Sequence, residues 1–162
     1  MKQLITFLLL LIVTSSCLKD VENSSNETRA MSVEQYVSWL KSGNFNIWDV
    51  PVFEISDIPS LLRHIRNEQL VVVNTTRPES SFHASTIKES LGMVILWIIE
   101  GTRLDVDHPS ATMTVVDENT GRLIPQNDIA LMYEHWWDKN KNKTIAQLKE
   151  ISPFEGTNFI WQ

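Results

Sequence analysis

The sequence predicts a mainly α domain: a compact set of helices around one central buried helix at about residues 85–103, with a small β-hairpin. Three observations predict it. The run Leu91-Gly92-Met93-Val94-Ile95-Leu96-Trp97-Ile98-Ile99 is apolar on every side, as in a helix enclosed by its neighbours. Several flanking segments repeat apolar residues at i, i+3, i+4 and i+7, the spacing of one helix face. Strand-like runs are few and brief. At 162 residues and 43% hydrophobic, the chain suits a single globular domain.

The elements follow in order. Ser32 and Gln35 form a capping box that opens a helix whose inner face is Val33, Tyr36, Val37 and Leu40, with Gly43 as its left-handed stop. Ser56-Asp57 opens a second, with Pro59 tolerated in the first turn and Ile58, Leu61, Leu62 and Ile65 facing inward. Leu70–Val73 is β-branched and short, a strand, and a polar loop through Arg77–Ser81 leads to the central helix. Ala111–Val116 and Arg122–Ile124 flank Asp117–Gly121 and predict a hairpin. Pro125–Lys139 is helical, with Ile129, Met132, Tyr133, Trp136 and Trp137 as its apolar stripe. Thr144 and Gln147 box the start of a last helix, and residues 158–162 are extended.

The N-terminus carries an address. Met1–Gln3 is a short cationic start, Leu4–Val13 is apolar apart from Thr6, and Thr14–Ser16 are small, the layout of a signal peptide over residues 1–16. A 10-residue apolar run is far short of the roughly 20 that span a bilayer. The single cysteine, Cys17, follows directly and resembles the lipidated residue of a bacterial lipoprotein. Residues 18–30 are polar and read as a tether with a reach of roughly 20 Å. Residues 31–162 are then the globular domain. Leu18 is not the aspartate that retains lipoproteins in the inner membrane of enteric bacteria, so outer-membrane anchoring is expected, with the periplasmic or surface face left open.

Charge and chemistry narrow the function classes. Net charge is −6 with no Lys/Arg block, so no nucleic-acid partner is expected. One cysteine makes no internal disulfide. Ser85–Lys88 matches Ser-x-x-Lys, but so does Ser38–Lys41, and the companion elements of penicillin-binding enzymes are missing; Ser85 reads as a helix cap. His64, His83, His108 and His135 make no zinc motif. Asp105, Asp107 and His108 cluster before Pro109 but lack the rest of a calcium loop, so no metal and no cofactor is expected. Glu100 and Arg103 stand three apart on the central helix, as an ion pair or as an acid beside its arginine. Arg77, Ser80 and Ser81 ahead of a helix start are a candidate anion site or an ordered turn. Trp136 and Trp137 point about 100° apart and cannot be equally buried, so with Tyr133 they form a candidate aromatic binding surface beside His135.

Four segments together resemble a known family: Asp57-Ile58-Pro59-Ser60-Leu61-Leu62, Arg77-Pro78-Glu79-Ser80-Ser81, Leu91–Glu100 and Tyr133-Glu134-His135-Trp136-Trp137. The family is a set of uncharacterised Bacteroidota lipoproteins, a domain of unknown function. The resemblance covers most of residues 32–140, and it implies a lipid anchor and the bacterial envelope, with no activity attached. The expected function is a non-enzymatic, envelope-anchored binding domain, an accessory subunit with a protein partner there. An immunity-type protein neutralising an envelope toxin and a small cell-wall or glycan hydrolase are the alternatives.

Overall fold

The computed structural model describes residues 31–43, 45–75 and 86–162. Its elements are α1 (Val33–Lys41), β1 (Phe45–Asn46), a 3-10 turn (Ile55–Asp57), α2 (Ile58–Leu62), β2 (Leu70–Asn74) and β3 (Thr86–Ser90). They continue with α3 (Leu91–Leu104), β4 (Val115–Asp117), α4 (Gln126–Asn140), α5 (Ile145–Lys149) and β5 (Phe159–Trp161). Of the described residues 42% are helical and 16% are strand, in two small sheets. The domain is therefore mixed α/β, which corrects the expected mainly α class. Cys17 and the tether, with Arg77, Ser80, Ser81 and Ser85, lie outside the described residues.

The correction comes from pairings between distant segments. In the first sheet β1 runs parallel to β2, and β2 pairs antiparallel with β3 from Leu70↔Ser90 to Asn74↔Thr86. Residues 86–90, expected to be the first turn of the central helix, are thus an edge strand. The true helix cap is Ser90, whose hydroxyl accepts from the amide of Met93 at 3.3 Å. In the second sheet β4 takes β5 as its partner, from Val115↔Trp161 to Asp117↔Phe159. The expected 111–124 hairpin is reduced to a turn that closes on one bridge, Val116↔Leu123.

The helices follow the local pattern more closely. Ser32 and Gln35 exchange both capping-box bonds, and Val33, Tyr36, Val37 and Leu40 are buried. α3 is buried at every residue from Leu91 to Gly101 and packs against α2, α4 and α5. Its start is clamped by the turn after α2: the amides of Leu91 and Gly92 donate to the carbonyls of Gln69 and Asn67. Gln126 Nε2 crosses over Gly92 to donate to the Ile65 carbonyl at 2.8 Å. Inside α3, Trp97 is fully buried, with its indole N–H on Ser110 Oγ at 2.9 Å.

Tyr36 is fully buried among Trp39, Phe45 and Phe53, and its hydroxyl has no hydrogen-bond partner among the described residues. An unsatisfied buried hydroxyl costs about 1–3 kcal/mol. Tyr36→Phe should therefore leave stability unchanged or raise it by about 1 kcal/mol, and a fall in the urea midpoint would mean the hydroxyl has a partner after all.

Candidate functional site

The strongest concentration of polar chemistry lies inside the fold. Glu100 and Arg103 on α3 are 6% and 4% exposed. Arg103 donates Nη2 to Glu100 Oε1 at 2.6 Å and Nε to Oε2 at 3.0 Å. Tyr133, from α4, donates its hydroxyl to Glu100 Oε2 at 2.7 Å and accepts the indole N–H of Trp161, from β5, at 2.9 Å. Arg103 Nη1 turns the other way, to the carbonyls of Leu148 at 3.1 Å and Lys149 at 2.9 Å at the end of α5. A single cation thus supplies a donor to the Lys149 carbonyl at the end of the short helix and a second one to that of Leu148, which also accepts the Ile151 amide at 3.2 Å.

This network ties α3, α4, α5 and β5 together. The Glu100 carboxylate receives three donors, and Glu100 lines none of the three clefts described below. Burial opposes the Arg103 charge, but its hydrogen bonds with Glu100 and the attraction of that carboxylate outweigh it and raise the guanidinium above its ordinary value. Burial also pushes the Tyr133 hydroxyl well above 10.0, with the neighbouring Glu100 charge adding to it. Tyr36 rises for burial alone.

The chain has 2 tyrosines, and both are fully buried. Their folded pKa values lie above the unfolded one, so their contribution to stability is complete below pH 10.0 and is lost as pH rises through the folded values. Phenolate absorbance should therefore appear only as the domain unfolds, in one cooperative step. Above pH 10.0 each tyrosine steepens the loss by up to about 1.4 kcal/mol per pH unit, and Tyr36→Phe should make it shallower. A gradual titration of either group in the folded state would contradict this burial.

The expected aromatic surface on α4 is largely interior. Tyr133 and Trp136 are 0% and 3% exposed, and the indole N–H of Trp136 donates to the Ile151 carbonyl at 2.9 Å. The two tryptophans are unequally buried: Trp137 is partly open, with its ring centroid 6.0 Å from that of Trp136. Exposed His135 and Lys139 border a cleft of about 230 Å³ against residues 151–157. Asp105, Asp107 and His108 do not converge; among the described residues no three His, Cys, Asp or Glu side chains could hold a metal.

His108 instead fastens two segments, its Nε2–H donating to the Ile47 carbonyl at 3.0 Å while Trp48 packs on its ring at 4.5 Å. Between residues 47–53 and the loop after α3 lie two neighbouring clefts. One, of about 450 Å³, is bordered by Trp48, Thr75, His108 and Ser110. The other, of about 170 Å³, has Val50, Phe53 and Ile98 as its floor, exposed Val52 and Val106 as lips, and Asp105 and Asp107 on its rim. Gly101 makes the second possible, since a Cβ there would stand 2.8 Å from the Val106 carbonyl oxygen. The sequence reading missed residues 48–53 because their partners are some fifty residues away. A glycine within the apolar helix and the Asp-Val-Asp turn after it were the available signals.

A model of a domain of unknown function, DUF4943, matches residues 27–162. The chain belongs to the DUF4943 family. That match takes in every described residue of the DUF4943 domain, including the Glu100–Arg103 network and both clefts. No curated protein and no solved structure matches it. Among the described residues of this DUF4943 chain, no helix is long and apolar enough to cross a membrane.

Proposed function

We propose that this chain is an envelope lipoprotein, anchored through lipid on Cys17, whose domain is a non-enzymatic interaction module and an accessory subunit of an envelope complex. The observation that carries the reading is the division of its polar groups. Glu100, Arg103 and Tyr133 are consumed by bonds that hold the fold, whereas the clefts offer apolar floors with charge at the rim. Enzymes need acid–base groups within reach of a substrate proton, and Glu100 is 6% exposed with three donors already on its carboxylate. Interaction surfaces need apolar anchors surrounded by polar groups. The Bacteroidota lipoprotein resemblance and the small residues ahead of Cys17 support the anchor, since two or more acyl chains hold a domain stably to a membrane.

The test is crosslinking in native envelopes followed by purification through the domain. A stoichiometric protein partner is expected with the wild-type chain. Cys17→Ala should release the chain from the membrane fraction and abolish labelling by a fatty-acid probe. Unchanged labelling would overturn the anchor, and the absence of any crosslinked partner would overturn the subunit role.

A further inference from the structure

The smaller cleft has the size, lining and charge of a docking point for one kind of peptide. Its volume of about 170 Å³ lies below the roughly 300–1,000 Å³ of small-molecule sites, so it accepts a side chain and not a whole metabolite. Its floor, Val50, Phe53 and Ile98, is aliphatic and aromatic. Its lips, Val52 and Val106, are 58% and 47% exposed, apolar area that leaves water only when something covers it.

The electrostatics select what covers it. The cleft opens at the C-terminal end of α3, where the helix dipole is negative, and Asp105 caps that end in the left-handed conformation. Lys149 Nζ reaches Asp105 at 3.0 Å. Asp107 is exposed and makes no ion pair among the described residues. An apolar pocket beside an unneutralised carboxylate, on a chain of net charge −6, complements an aliphatic side chain next to a cation.

We infer that this cleft docks a segment of a protein partner in which an aliphatic side chain, seated between Val52 and Val106, is flanked by Lys or Arg facing Asp107. The inference rests on the interaction-module reading and supplies its partner chemistry.

The probes are three twelve-residue peptides titrated into the intact chain purified in detergent: a central leucine flanked by Lys and Arg, the same leucine flanked by Glu, and the basic peptide with serine for leucine. Binding is read from the methyl resonances of Val52 and Val106. The basic leucine peptide should bind at least about ten-fold more tightly than either control and weaken as salt shortens the Debye length. Asp107→Lys, at an exposed position, should reduce its affinity by about ten-fold, and Val106→Asp should abolish saturation of the pocket signals. Equal binding of the serine peptide would reduce the effect to charge alone and overturn the inference. So would equal binding of the acidic peptide, or shifts confined to another face. An envelope partner whose crosslinks map away from Val52 and Val106 would also defeat it while leaving the interaction module standing. Saturable binding of the basic leucine peptide with no envelope partner would reverse that outcome.

Discussion

Gly92→Ala should destabilise the domain by about 4 kcal/mol, although alanine is the better helix former by about 1 kcal/mol. The two effects have opposite signs, and packing decides between them. A Cβ at position 92 would collide with Gln126 Nε2 and with the carbonyl oxygen of Ile65, whose carbonyl carbon would lie only 2.8 Å away. Gln126 can move, but only by giving up its bond to Ile65 and leaving a buried carbonyl without its donor. The Ile65 backbone cannot easily move, because the turn that follows holds the amides of Leu91 and Gly92. Urea denaturation gives the test. The double variant Gly92→Ala/Gln126→Ala should regain less than half of the loss, since the backbone collision remains. An unchanged midpoint in Gly92→Ala would show that α3 and the turn can separate at little cost.

Arg103→Met should cost about 3–5 kcal/mol, the usual consequence of leaving a buried partner charge uncompensated. Methionine keeps much of the volume, so the loss reports on charge and hydrogen bonds. Glu100 would keep only the Tyr133 hydroxyl, the Lys149 carbonyl would lose the Arg103 donor, and the Leu148 carbonyl would keep only the Ile151 amide. Combining it with Glu100→Met removes the stranded carboxylate and should recover part of the loss. Recovery stays incomplete because the Tyr133 hydroxyl has lost its acceptor and the Lys149 carbonyl still lacks the Arg103 donor. Coupling of at least about 2 kcal/mol in a double-mutant cycle is expected. Additive effects would mean that the two side chains act independently.

What could be read from the chain alone depended on range. The capping boxes at Ser32 and Thr144, and the inner faces of α1 and α4, are written within four residues and were legible. The strand 86–90 was not. In Thr-Ile-Lys-Glu-Ser only Ile87 is apolar, and it is 39% exposed, so an edge strand leaves almost no alternation to detect. β4 was expected to pair with its neighbour because nothing near 115–117 signals a partner at 159–161. The site divides in the same way. Glu100 and Arg103 are three residues apart and were paired from spacing, whereas Tyr133, Trp161 and the α5 carbonyls reach them from elsewhere in the chain. The adjacency of Trp136 and Trp137 foretold unequal burial without saying which ring was interior.

The polar network also has a history in time. Glu100 and Arg103 leave the ribosome well before the residues that enclose them, since the α5 carbonyls and Trp161 lie more than forty positions downstream. Until those segments arrive, the pair stands in water, where an ion pair gives little reason to fold. The nascent domain therefore cannot seal early.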